Sequence, residues 1–338
     1  MQVLYLVSTP LRLVGEGQRI PQLLGRLGEI GGVRAVCVET HSYDMGHIRF
    51  HLDRYEAALD EALARGDARV VVVFSAPIPE YAALPRRDGV AYVYDRFERW
   101  DLFPSSWYAP ADEDNLIRDC DGVVSTFEDG RLAEARACAV IPNGASELAS
   151  SAARHSLPGR FARLAAAEAR AVYVGSLDGR YVDLDALTAV CDCVPTIIGG
   201  RRPGSPSVDG GHLRQELGNQ GYLAGWVPHH NLSWLLHGRS LGLVSFQDLE
   251  LASYISPIKV YEYLLAGVRP VVLNASQVRG IPWVQYANSR GEFVELAREY
   301  ADKPMDERAA GEARAWVQGV ATWKARAQQF EKFLRELF

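Results

Sequence analysis

Lys259 and Glu262 stand three residues apart, in a chain with no other lysine before Lys303. At helical spacing the two share one face near the start of a helix. A helix tip offers amide N–H groups without intrahelical acceptors and the positive end of a dipole, so an ammonium beside it suits a diphosphate. A carboxylate one turn further in can accept hydrogen bonds from two adjacent hydroxyls, as on a ribose. A surface i, i+3 ion pair on an ordinary crossover helix accounts for the same two residues. Two acids elsewhere invite a different role. Asp95 and Glu98 follow the run Val90–Tyr94, and the carboxyl end of a parallel strand is where α/β proteins place ligands. There a carboxylate can meet a ligand, or simply cap a helix or pair with Arg96 or Arg99.

The elements that must hold these residues can be read from the pattern. Ser256 fits an N-cap, Pro257 a first helical position and Gly267 a C-terminal stop. Arg269 to Leu273 then reads as a buried strand. Short apolar runs alternate with helical patterns along the whole chain. Strands are expected at 3–7, 33–38, 70–74, 90–94, 122–125 and 139–141, with helices near 18–30, 52–65, 112–119 and 128–137. A second series gives strands at 171–174, 195–198, 221–223, 241–246, 270–273 and 284–286. Alternation of this kind predicts a doubly wound parallel sheet, made twice. The Ala-, Ser- and Arg-rich stretch from 145 to about 168 reads as the linker, and 305–338 as helix with an aromatic stripe.

In the second series Gly175-Ser176 follows a strand, so backbone amides can approach a phosphate, with Arg180 near enough to add charge. Ile198-Gly199 ends another strand in glycine. In the first half, Gly15 and Gly17 do not complete a G-x-G-x-x-G fingerprint, since position 20 is isoleucine. His41, His47 and His51 cluster after the second strand in what reads as a loop. They are expected to be solvent-exposed or to face an acceptor, with metal binding the lesser alternative.

Pro257-Ile-Lys-Val-Tyr-Glu-Tyr-Leu-Leu-Ala-Gly-Val-Arg-Pro-Val-Val272 resembles the P-x-K-x-x-E-Y-L-A-x-G-x-P-V-V segment of GT-B glycosyltransferases, among them enzymes of teichuronic-acid and other bacterial cell-surface polysaccharides. Further stretches resemble the same group: Gln18-Arg-Ile-Pro-Gln-Leu23 near its opening, Tyr92-Val-Tyr-Asp-Arg-Phe-Glu98, Val140-Ile-Pro-Asn-Gly144 and Gly221-Tyr-Leu-Ala-Gly-Trp-Val227. The resemblance implies two Rossmann-like domains facing across a cleft. Residues 1–155 would bind the acceptor, with a C-terminal helix at about 318–338 packed back on them, and 165–315 would bind a nucleotide-sugar donor. It implies that Gly175, Ser176, Arg180, Gly199, Trp226, Val227, Ser256, Ile258, Lys259 and Glu262 surround the donor, the base lying near Trp226 and Val227. Trp226 could instead be plain core, the reading its residue type favours over base stacking. It further implies that Gly15, Gly17, Arg19 and His41 face the acceptor, and that Asp95 or Glu98 is the base if the reaction inverts. In many retaining relatives a second glutamate precedes the first by eight positions, and here that place is Tyr254.

The function expected is transfer of a sugar from a nucleotide-diphosphate sugar, UDP-linked by preference, to a hydroxyl of a glycan or small molecule. No metal or other cofactor is expected, the helix tip and lysine compensating the phosphate charge. A nucleotide-sugar epimerase of the same fold, or a non-catalytic sugar-nucleotide binder, are the alternatives. Composition agrees with a globular protein. The chain has 338 residues, 48% hydrophobic and 23% charged, which suits two domains. A formal net charge of −6 excludes a general nucleic-acid binder. Five cysteines without framework spacing indicate a reducing compartment, and Cys191-Asp-Cys193 reads as structural. The expected location is the cytoplasm, with peripheral contact at the inner membrane face left open. The stretch Met1–Val7 is too short for a signal peptide or membrane span and reads as a first strand.

Overall fold

The computed structural model describes residues 1–9, 17–44, 47–66, 69–103, 108–147, 169–200, 220–225 and 227–338. The chain forms two compact units, Met1–Gly144 with Trp323–Phe338, and Ala145–Thr322.

The first unit is built on a parallel sheet of β1 (Gln2–Val7), β2 (Arg34–Glu39), β5 (Val70–Phe74), β6 (Val90–Arg96), β7 (Gly122–Ser125) and β8 (Cys138–Val140). Their order is β2-β1-β5-β6-β7-β8. Valine, leucine and aromatic residues run through β1, β5 and β6 without polar alternation because both faces are covered. One face packs under α2 (Leu52–Ala64), the short α3 (Pro79–Ala82) and α4 (Pro110–Asp119), where Tyr55, Leu59, Tyr81, Leu116 and Ile117 are buried with Leu4, Val72 and Tyr92. The other packs under α1 (Arg19–Gly28) and the last helix of the chain, Trp323–Glu336, through Leu23, Leu27, Phe330 and Leu334. The fit is close. A Cβ on Gly122 would lie 2.7 Å from the Phe333 ring.

Three local expectations change. Residues 41–50 are not an open loop but an antiparallel hairpin, β3 (His41–Asp44) with β4 (His47–Phe50). The expected helix at 128–137 is reduced to a 3-10 turn, Gly130–Glu134, because Asp129 accepts from the Arg131 amide while its carboxylate also pairs with Arg96. The C-terminal helical stretch is broken. Helix α8 precedes it at Arg290–Tyr300, α9 spans Glu307–Trp316, a π-helical turn covers Val317–Ala321, and extended Thr322 redirects the chain into α10 (Trp323–Glu336).

The second unit has the parallel order β11-β10-β9-β12-β13-β14. These strands are β9 (Ala171–Val174), β10 (Thr196–Gly199), β11 (Gly221–Leu223), β12 (Leu241–Ser245), β13 (Arg269–Leu273) and β14 (Gln285–Ala287). Helix α5 (Leu184–Cys191) and α8 bury Leu187, Val190, Phe293 and Ala297 against one face. On the other lie α6 (Leu232–Leu236) and α7 (Ile258–Ala266), which contributes Val260, Tyr263, Leu264 and Leu265. The order reverses between β9 and β12, and such a switch point opens a crevice at the carboxyl ends of the strands.

Candidate functional site

The switch point is shaped by Tyr263. Strands β9 and β12 pair only as far as Tyr173 and Leu243. Beyond that the Tyr263 hydroxyl takes over, accepting from the Val174 amide at 3.1 Å and donating to the Leu243 carbonyl at 3.3 Å. A phenol thus holds the two strands where they part. The ring needs room below it, and a Cβ on Gly242 would come within 2.1 Å of it.

Helix α7 begins beside this crevice. Pro257, rather than Ser256, takes the capping position, with φ −77° and ψ 103°, and Ser256 is buried behind it. Proline has no side-chain acceptor, so no side chain caps the helix. The Pro257 carbonyl accepts from Val260 at 3.0 Å. The amides of Ile258 and Lys259 have no protein acceptor among the described residues, the state expected of a helix tip open to an anion. Gly267 ends the helix at φ 76°, as its position predicts.

Lys259 reaches from this tip over the carboxyl end of β9. Its Nζ lies 4.4 Å from the centre of the Tyr173 ring and 5.7 Å from that of Phe246, beyond β12. It makes no ion pair among the described residues. Burial lowers its pKa from 10.5 to about 8, against the opposing pull of Glu262. The ammonium also crowds Gly175. That residue has φ 142°, and a Cβ there would sit 2.7 Å from Nζ. The backbone conformation requires glycine there, and a side chain would also displace the tip of the lysine. Gly175 in turn donates to the Gly199 carbonyl at 2.9 Å, and a Cβ on Gly200 would strike the Gly175 carbonyl at 2.0 Å. A floor of backbone therefore lies beneath the only lysine of this unit before Lys303.

Glu262 is not paired with Lys259. Its Oε1 lies 2.9 Å from Nε2 of His229, which stands in the 3-10 turn His229–Asn231. The alternative of an i, i+3 ion pair on the helix surface thus has no counterpart here. His229 was not singled out from the sequence, although it lies two residues past Val227 in a segment that was. Val227 is half-buried against the core near Gly199. Ser176 is exposed and accepts from the Asp178 amide. Arg180 is exposed and its guanidinium is held by Asp178, with contacts of 2.6 to 3.0 Å, so its charge is already balanced. Trp226 lies outside the described residues.

In the first unit the two candidate acids part company. Asp95 is fully buried and accepts from Arg19 Nε and Nη2 at 3.0 and 2.9 Å, and from the Tyr5 hydroxyl. Arg19 also donates to the Ile141 carbonyl at 3.0 Å. The pairing expected as an alternative to catalysis is therefore present, but with Arg19 rather than Arg96 or Arg99. Arg19 is itself buried, with its guanidinium committed to Asp95 and the Ile141 carbonyl. Burial first, then the Asp95 charge, raises the Tyr5 pKa well above its ordinary value, so the phenol donates. Glu98 stands apart, in the loop beyond β6. It is half-buried with no hydrogen bond or ion pair among the described residues, and burial pushes its carboxyl from 4.5 up to about 7.

His41 is buried in the hairpin rather than exposed. Its ring lies 5.2 Å from Phe50, Thr40 contacts its Nδ1 at 3.0 Å, and burial lowers its pKa. His51 contacts Ser42 at 2.7 Å. Gly17 lies in the turn before α1, and Gly15 lies outside the described residues. Asp-x-Asp spacings occur at Asp112–Asp114, Asp119–Asp121 and Asp183–Asp185. Asp114 pairs with Arg131, Asp121 accepts from the Tyr92 amide, and Asp183 caps α5 and pairs with Arg290. A cavity of about 430 Å³ lined by Arg170, Arg239 and Ser240 lies at the amino ends of β9 and β12, the opposite end of the sheet from Lys259.

No protein-family model and no curated protein matches the chain. Solved structures do match along its whole length. Sucrose-phosphate synthase from Thermosynechococcus elongatus superposes with a TM-score of 0.68 at 14% identity, over 100% of this chain and 99% of that one. Trehalose-6-phosphate synthase, OtsA, gives 0.63 at 12% identity, over 100% and 99%. Anabaena HepE in complex with UDP-glucose gives 0.62 at 15%, over 99% and 100%. The two parallel six-stranded sheets are those of the GT-B glycosyltransferase fold, as the sequence resemblance implies.

Proposed function

We propose that the protein is a glycosyltransferase that moves a sugar from a UDP-linked donor to a hydroxyl of a glycan or small molecule, without a metal. The observation that carries this reading is Lys259, a desolvated ammonium with no ion pair among the described residues, placed over the Gly175 turn at the tip of an uncapped helix. A diphosphate would fill that role. The helix amides and the ammonium would stabilise the charge that develops on the leaving nucleotide. Glu262, one turn further along, would receive the ribose hydroxyls. HepE, of the same fold, was crystallised with UDP-glucose, which supports the choice of donor.

Glu98 is the group suited to take the proton of an incoming hydroxyl. A base is most effective with a pKa near working pH, and Glu98 has one near 7. Asp95, locked by Arg19 and Tyr5, instead fixes the end of β6 from which the Glu98 loop departs.

The test is calorimetric titration of UDP and UDP-glucose into the wild-type protein, Lys259→Ala and Glu262→Ala. Both substitutions should weaken nucleotide binding by tenfold or more. Undiminished affinity in both variants for every nucleotide diphosphate sugar would refute the assignment.

A further inference from the structure

Glu262 is 5% exposed, and such a side chain inside a protein needs its oxygens satisfied. Only Oε1 has a partner among the described residues, the Nε2 of His229. Oε2 accepts nothing among them. The carboxylate is thus gripped on one side and open on the other.

From this arrangement we infer that His229 is a positioning residue for the nucleotide site, holding the Glu262 carboxylate so that Oε2 receives the hydroxyls of the donor's pentose. The inference rests on the donor site proposed above and adds to it the residue that makes the site selective for a ribonucleotide. Glutamate has three rotatable bonds, and Lys259 sits one turn away on the same helix face. Without a restraint the carboxylate could swing toward that ammonium, neutralising the phosphate site and leaving the ribose without an acceptor. His229 comes from a different segment, the turn after Pro228 that follows β11. Its Nε2–H therefore pulls Glu262 from outside the helix, opposing collapse onto Lys259. The histidine needs no contact with the ligand for this. A neutral imidazole donating from Nε2 suffices.

The consequence is read as discrimination between hydroxylated and deoxygenated pentoses. Equilibrium binding of UDP, 2′-deoxy-UDP and 3′-deoxy-UDP is measured for the wild type, His229→Ala, His229→Gln and His229→Phe. The wild type should prefer UDP over at least one deoxy analogue by about tenfold to a hundredfold, the range for a hydrogen bond to a charged group. In His229→Ala and His229→Phe the preference should fall below about threefold, mainly through weaker UDP binding. In His229→Gln, whose amide N–H can replace Nε2–H, most of the preference should return. A circular-dichroism melt identifies any variant that fails to fold, and the Gln and Phe pair decides the question if Ala does. Full discrimination retained in both His229→Ala and His229→Phe, or lost equally in His229→Gln, would overturn the role of His229. Wild-type protein that binds UDP without any pentose preference would overturn it too, while leaving the phosphate site intact. Wild-type protein that binds no nucleotide would instead remove the donor site itself.

Discussion

Replacing Glu98 by glutamine tests whether burial, rather than chemistry elsewhere, sets the properties of this acid. Its carboxyl is pushed from 4.5 up to about 7 by burial alone. Between those values the folded protein holds a proton that the unfolded chain has released. Stability therefore falls as pH rises through that window, and the whole penalty is present above pH 7. At about 1.36 kcal/mol per unit the penalty is about 3 kcal/mol at most, and solvent reaching the half-buried side chain lowers this to about 1–3 kcal/mol. Glutamine cannot ionise and escapes the penalty. Urea denaturation at pH 8 should find Glu98→Gln more stable than wild type by that amount, and at pH 4 the difference should vanish. If Glu98 is the base, the same variant should lose about 10²–10⁴ in kcat, and the wild-type kcat/KM should rise through an acid limb near pH 7. A variant that is more stable at pH 8 and has lost activity is the outcome expected if Glu98 is the base. A stability difference of the same size at both pH values would refute the reasoning.

Binding of UDP at pH 8.5 should take up protons, because Lys259 is partly neutral there and a diphosphate would recharge it; calorimetry in buffers of different ionisation enthalpy measures this, and zero uptake counts against a phosphate at Lys259. Gly242→Ala should destabilise the protein by at least about 1–3 kcal/mol in urea melts, since its Cβ would overlap the Tyr263 ring. Arg19→Met should cost about 3–5 kcal/mol by leaving Asp95 buried without its cation, and an unchanged melt would show that the pair is not needed.

Much of the fold was legible because both sheets are parallel and buried on both faces. Runs such as Val70–Phe74 and Pro270–Leu273 then stand out as uninterrupted apolar segments between turns. The stop at Gly267 was legible for a different reason, since few residues other than glycine adopt its left-handed conformation. The hairpin at 41–50 was hidden because its histidines look like surface chemistry, while the burial of His41 depends on Phe50 and Tyr81.

Lys259 and Glu262 could be selected from spacing on a single helix, a local property that a one-dimensional pattern records. Their partners could not. Tyr173, Phe246 and Gly175 meet the lysine only because the strand order reverses beside β9, and His229 meets Glu262 across 33 positions of chain. Asp95 and Glu98 looked alike in sequence, three positions apart on one strand end. Burial separated them, placing one carboxylate between Arg19 and Tyr5 and leaving the other desolvated, with no partner among the described residues. Residue type and spacing determined which groups could do chemistry, and long-range packing decided which were left to do it.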